Sequence, residues 1–263
     1  MFIPRADYSN PEAKIVFFTG AGLSADSGIS TFRDSDGLWE NHKIEEVCSE
    51  GSWKKNFETV HKFYNERREE LNGKEPNAAH IMIKEIQEEY QDDCIVITQN
   101  VDNLLEKAGI PEDKILHVHG NLTKLKCENC GNNWDIGFNT FDIKNDRCPK
   151  CDSLKAVRPN IVFFGGQAPM YSYMHRAFEY LQNPNSIFIV IGTMGNVIHI
   201  SSIIGTKSLN GKVRKTIPCH TILNNLDENE YLEKELFNDI FYLKASIAAD
   251  KIKEIIKDKF KKS

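Results

Sequence analysis

The chain has 263 residues, 33 of them basic and 38 acidic, for a net charge of −5, enough for one large core or for a core domain with a small satellite. That balance carries no nucleic-acid footprint: in the locally basic end DKIKEIIKDKFKKS, residues Ile252, Ile255, Ile256 and Phe260 recur at helical spacing, as in an amphipathic helix with a solvated lysine face. No apolar run reaches the length of a membrane span and no signal-type segment opens the chain, so a cytosolic protein is expected; its seven cysteines fit that setting if four bind metal and three are free thiols.

Ile15 to Phe18 is an apolar, β-branched run that reads as a buried parallel strand. It stops at Thr19 and opens into Gly20-Ala21-Gly22, where small residues let backbone N–H groups approach an anion. Ser24-Ala25-Asp26-Ser27 can cap a short following helix, and Arg33 offers a planar fork for phosphate or carboxylate. The stretch reads as a pyrophosphate cradle. A plain strand-turn-helix is the alternative, because the spacing Gly-x-Gly-x-x-Gly is left incomplete by Ala25. Asp34–Trp39 is a polar loop able to fold over a cofactor. Residues 40–75 are charged and helical in pattern, with Tyr64 and Arg67 on one helix face; the plain reading is a solvated helix with a packed tyrosine. Pro76-Asn77 starts the next helix, through HIMIKEIQEEY.

Cys94 to Ile97 is a second buried strand, ending in Thr98-Gln99-Asn100-Val101-Asp102. Open α/β sheets bind ligands at such strand ends, and Gln99, Asn100 and Asp102 suit a ribose and a carboxamide. Capping of the helix NLLEKAG by Asn100 or Asp102 is the structural alternative. A third strand, Lys114 to Val118, delivers His119-Gly120; a histidine there titrates near neutrality, although a satisfied structural role is the safer reading for His117 and His119 alike.

Cys127-x-x-Cys130 and Cys148-x-x-Cys151 lie 17 residues apart. Paired thiolates at this spacing make a tetrahedral zinc ribbon, and four protein ligands leave no open position for chemistry. Two disulfides or a nucleic-acid zinc module compete with this; the first is disfavoured in the cytosol, and the second lacks a basic stripe between the pairs. Ile161 to Phe164 reads as a further strand whose edge can receive an extended peptide, residues 171–182 as a helix, Ile187 to Ile191 as the most apolar strand, and Thr221 to Leu223 as a late one. Strands alternating with helices give an α/β fold with a doubly wound parallel sheet.

GAGLSADSGISTFR resembles the first signature of the sirtuins, the NAD-dependent protein deacylases. TQNVDNLLEKAG, HVHG, the two Cys-x-x-Cys pairs and RPNIVFFG follow in that family's order, so the likeness runs from about residue 14 to about residue 228. It implies a Rossmann-like NAD-binding domain (1–39, 76–120 and 158–263) and a small domain of helical module and zinc ribbon (40–75 and 121–157), with NAD in the cleft between them. Gly20, Ala21, Gly22, Phe32 and Arg33 match the family's NAD loop; Gln99, Asn100 and Asp102 match the residues that hold the nicotinamide ribose and carboxamide; Gly192, Thr193 and Met194, with Asn225, match the adenosine side. The implied chemistry is acyl transfer from lysine to ADP-ribose with release of nicotinamide, itself an inhibitor, and His119 matches the general base, with Asn100 and Asp102 as its catalytic companions. The acyl-lysine peptide would lie along Val162, Phe163, Phe164 and Gly165, and one structural zinc would sit on Cys127, Cys130, Cys148 and Cys151.

The chain departs from that family at Met194, where serine is usual, at Leu105 for histidine, at Gly166 for glutamate and at His199 for proline. Thr31, Tyr64 and Arg67, with Cys48 in place of a small alanine, resemble the subclass that removes succinyl, malonyl and glutaryl groups. A general deacetylase and a weakly catalytic NAD- or ADP-ribose-binding module are the alternative readings; a nicotinamide oxidoreductase leaves the cysteine pairs unexplained.

Overall fold

A computed structural model describes residues 3–7, 11–30, 38–39 and 42–260. Thr31, Phe32, Arg33 and most of the loop after them lie outside the described residues, and with them the expectations placed there.

A six-stranded sheet forms the centre. Its strands are β1 (Ile15–Thr19), β2 (Cys94–Thr98), β3 (Ile115–His117), β7 (Ile187–Ile191), β8 (His220–Asn225) and β9 (Asp239–Tyr242), in the order β9-β8-β7-β1-β2-β3. Every pairing is parallel. Alternate residues of β1 serve opposite faces, as a two-residue period requires. Val16 and Phe18 join Ile95, Ile97, Phe188 and Val190 beneath helix α5 (Tyr171–Glu179), which contributes Met174, Ala177 and Phe178. Ile15 and Phe17 join Val96, Ile189 and Ile191 beneath α3 (Ala78–Tyr90), the short α4 (Leu104–Lys107), which adds Leu105, and α6 (Ala245–Lys259). Both faces are thus covered, which is why the strand sequence is continuously apolar rather than alternating.

The helix ends follow from the sequence. Asn77 caps α3 by accepting the Ala79 N–H at 2.9 Å, while His80 Nδ1 accepts the Asn77 N–H. α6 is the amphipathic helix expected at the chain's end: Ile252 and Ile256 are fully buried, and Lys253 and Lys257 reach Glu85 and Glu89 on α3. Its first turn is held by the Asp26 carboxylate, which accepts from both the backbone N–H and the hydroxyl of Ser246.

A three-stranded antiparallel sheet, β5-β4-β6, stands apart from the main one, built from β4 (Gly120–Cys127), β5 (Asn133–Asp135) and β6 (Val157–Ile161). Helix α2 (Phe57–Asn72) packs on it. His61 of α2 stacks on Phe141 and meets Phe57 edge-on, with Nε2 at 3.0 Å from the Val157 carbonyl, and Arg68, fully buried, donates to the carbonyls of Asn139 and Leu122.

Several element boundaries differ from expectation. The strand placed at Ile161 to Phe164 lies upstream, because Val157–Ile161 pairs with β4 while Phe164 bridges to Ser49 instead. The strand expected from Lys114 begins one residue later, after a 3-10 turn at Glu112–Lys114. The helix α1 (Gly22–Ala25) contains Ser24 instead of being capped by it. Among the described residues no helix is long and apolar enough to cross a membrane.

Candidate active site

β2 lies on one side of β1 and β7 on the other, so the sheet reverses its winding between β1 and β7. Open α/β sheets bind ligands beyond the carboxyl ends of the strands at such a point. Here the loops after β1 and β7 interlock. Gly20 N–H donates to the Ile191 carbonyl at 2.9 Å and Gly22 N–H to the Gly192 carbonyl at 2.8 Å. A Cβ on Gly20 would meet the Gly192 oxygen at 2.7 Å, and one on Gly22 would meet the Gly192 Cα at 2.6 Å. Gly192 itself has φ +65, with no room for a side chain against Leu23. The glycines therefore serve backbone contact between two loops. The N–H groups of Gly20 and Gly22 are committed to carbonyls, so what these two positions provide here is the close approach of the two backbones. The residues around the junction are polar. Gln99 Nε2 donates to Thr193 Oγ1 at 2.9 Å, and Asn225 Nδ2 donates to the Thr193 carbonyl at 2.9 Å.

Beside this junction, four side chains share one hydroxyl. His80 Nδ1 accepts a backbone N–H, so its Nε2 carries the proton and donates to Ser24 Oγ at 3.4 Å. Asn100 Nδ2 donates to the same oxygen at 3.1 Å, and the Ser24 hydroxyl donates to Asp102 Oδ2 at 2.8 Å. Two acceptances and one donation use the full capacity of a hydroxyl. Asp102 Oδ1 accepts the Leu104 N–H at 3.1 Å. Capping and network roles thus coexist, one on each oxygen. Burial raises the Asp102 pKa, opposed by these two hydrogen bonds. Burial drives His80 down to about 4, so it is neutral at pH 7. Ser24 and His80 carried no signal of this role in the sequence, since they lie 56 residues apart.

His117 and His119 diverge. His117 Nε2 lies 2.8 Å from Glu106 Oε1 and Nδ1 3.3 Å from the Asn100 carbonyl. Burial works against its charge, but Glu106 overcomes that and the pKa is raised. His119 Nδ1 lies 3.1 Å from the Gln99 carbonyl and its Nε2 2.9 Å from the Tyr171 hydroxyl. Burial lowers its pKa, with the Gln99 carbonyl in partial opposition, so its ring is neutral at pH 7. Its carbonyl accepts the Val162 N–H at 2.9 Å, which joins His119 to the Val162–Gly165 segment. In that segment Phe163 is buried and Phe164 is exposed.

Tyr64 is buried, with its hydroxyl 3.5 Å from Cys48 Sγ and its ring edge-on to Phe163. Arg67 lies over the Phe63 ring and gives Nε and Nη2 to Glu70, while its buried Nη1 has no hydrogen-bond partner among the described residues. Gly166, where the family has glutamate, lies against another carboxylate: a Cβ there would meet Glu50 Oε2 at 2.7 Å.

The Sγ atoms of Cys127, Cys130, Cys148 and Cys151 lie within 4.8 Å of one another, with Cys127–Cys151 and Cys130–Cys148 each at 3.6 Å. All four are free thiols, which excludes the two-disulfide reading. A tetrahedron with Zn–S bonds of about 2.3 Å has edges of about 3.8 Å, so the donor set fits zinc. Each pair is followed by a left-handed residue, Gly131 at φ 71 and Asp152 at φ 56, which turns the chain back beside its thiols.

A doubly wound sheet with a neutral histidine at a strand end and a separate four-thiol ribbon defines a narrow class of proteins. The chain matches the Sir2 family model over residues 20–199 and belongs to that family. It is 39% identical over 262 residues to a Helicobacter hepaticus protein named NAD-dependent protein deacylase, covering 94% of this chain and 98% of the relative. A Campylobacter jejuni protein of the same name is 39% identical over 249 residues, covering 93% and 97%. A Sir2 homolog–NAD complex superposes with a TM-score of 0.75 at 30% identity, covering 94% of this chain and 90% of the other. A complex of a variant Sir2 homologue with ADP-ribose gives the same TM-score and identity, covering 94% and 93%.

Proposed function

We propose that this chain is an NAD-dependent protein-lysine deacylase with His119 as its general base, favouring acidic acyl groups such as succinyl, malonyl and glutaryl. NAD supplies the ADP-ribose that accepts the acyl group as nicotinamide leaves. The neutral Nε2 of His119 can take a ribose hydroxyl proton at pH 7. Asn100 and Asp102, fixed through Ser24, orient the nicotinamide half; Gln99, Thr193, Asn225 and the interlocked glycines, with Met194, line the remainder of the cosubstrate site, and Phe32 and Arg33 carry the sequence match to the family's NAD loop. The Val162–Gly165 segment receives the peptide by strand addition. Residues 40–75 and 121–157 form the small domain around the zinc.

The observation that carries the acyl preference is the orphaned Nη1 of Arg67. A buried guanidinium nitrogen without an acceptor fits a ligand carboxylate, and Tyr64 on the same helix supplies a hydroxyl. A neutral acetyl group leaves that nitrogen unpaired and is disfavoured accordingly. Mass spectrometry of succinyl-lysine and acetyl-lysine peptides with NAD, on the wild type and on Arg67→Met, tests this. The expected result is a succinyl preference lost in the variant. A wild type that prefers acetyl, or an Arg67→Met that still removes succinyl, leaves a general deacetylase.

A further inference from the structure

Tyr171 opens α5, and that helix is held from both sides. Met174, Ala177 and Phe178 pack into the core. Arg176 Nη1 donates to the Ile3 carbonyl, the Ala6 N–H donates to Glu179 Oε2, and Tyr180, in the 3-10 turn that follows the helix, donates its hydroxyl to the Pro4 carbonyl. The helix therefore presents the Tyr171 hydroxyl to His119 from a fixed base. The direction of the contact follows from the other ring nitrogen. The Gln99 carbonyl near His119 Nδ1 can only accept, so Nδ1 carries the proton and Nε2 is the lone-pair nitrogen. The Tyr171 hydroxyl then donates to it, at 2.9 Å. The nitrogen that must take a proton in the reaction is thus occupied by a side chain.

We propose that Tyr171 is a positioning residue for His119: its hydroxyl caps the proton-accepting nitrogen in the free enzyme and yields it to the ribose hydroxyl when cosubstrate and peptide bind. This rests on His119 being the base. The cap holds the neutral tautomer that the reaction needs and keeps other proton donors away from Nε2. Donation into the lone pair stabilises the neutral ring, so removing the hydroxyl makes the free enzyme's His119 easier to protonate. Among the described residues, neighbouring charged and titratable groups have other partners. Asp102 is bonded to Ser24 and Leu104, His117 is paired with Glu106, His175 lies edge-on to Phe178, Arg176 turns to Ile3 and Tyr173, and Arg158 pairs with Glu128.

The test is Tyr171→Phe, which keeps the ring and removes the hydroxyl. The acid limb of kcat/KM reports the free enzyme, and that of kcat the loaded one. The variant should move the kcat/KM limb upward by roughly half to one pH unit and leave the kcat limb in place. An unmoved kcat/KM limb overturns the proposal. So does an equal movement of both limbs, which would keep Tyr171 on the base throughout turnover. NMR titration of the His119 ring in the ligand-free wild type and variant, each checked for its thermal midpoint, reads the same change without catalysis. An unmoved resonance overturns the contact itself. A moved resonance without a matching rate shift overturns the proposal through the assignment of His119 as base.

Discussion

Glu106 Oε1 lies 2.8 Å from His117 Nε2 inside the protein, two residues before the histidine that faces Tyr171. One strand end therefore carries a histidine whose pKa a carboxylate raises and a histidine whose pKa burial lowers. His119→Ala should lower deacylation by roughly two to four orders of magnitude with the fold intact. His117→Ala should act on stability instead. It removes a hydrogen-bond partner from the part-buried Glu106 carboxylate, at a cost of about 1–3 kcal/mol. Denaturant melts and turnover of the two variants separate these effects; a His119→Ala enzyme with near wild-type turnover removes that residue from the mechanism.

Acid should destabilise the protein through its buried neutral histidines. Burial holds His61 and His80 each at about 4, against an ordinary value of 6.5. Between those two values the unfolded chain binds a proton that the folded chain refuses, so stability falls as pH drops from 6.5 towards 4. Each group contributes a loss of up to about 2 kcal/mol by pH 5. His117, with its raised pKa, works in the opposite direction: its contribution is full below 6.5 and is lost as pH rises through its folded value. Urea melts from pH 7 to pH 5 on the wild type and on His61→Phe check the sign. The variant should lose about one proton from the slope; an unchanged slope would clear His61 of the effect.

Zinc should copurify at one ion per chain, bound by the four thiols of the ribbon. Cys127→Ala, or removal of zinc by a chelator, should unfold the ribbon and loosen α2, because site formation and local folding are one event. Elemental analysis of freshly purified protein without zinc would refute the assignment.

The sheet was legible because burial on both faces writes a continuous apolar run, and Ile187–Ile191 appeared with the expected bounds. The thiol ribbon was legible because ligand spacing is local. Ser24 and His80 were not legible, since their hydroxyl-centred network joins residues from three separate elements. The strand expected at Ile161 to Phe164 had the composition of a buried strand; beyond Ile161, however, its partner is a single bridge from Phe164 to Ser49, which no local pattern records. Glu50 beside Gly166 shows the same limit: a carboxylate absent at one position is brought in from a distant one.

The order in which the chain is made bears on the central strand. Lys14, just before β1, is tied to Asp93 and to Ser186, which lie 79 and 172 residues away. The two strands that flank β1 emerge from the ribosome long after it does. Until Ile187–Ile191 has been synthesised, Ile15–Thr19 has an unpaired edge and uncovered apolar faces, the combination that favours aggregation during slow, non-local folding. A chain that stops before Ile187 should therefore need a chaperone to stay in solution, even though it already contains His119 and all four zinc-ligand cysteines.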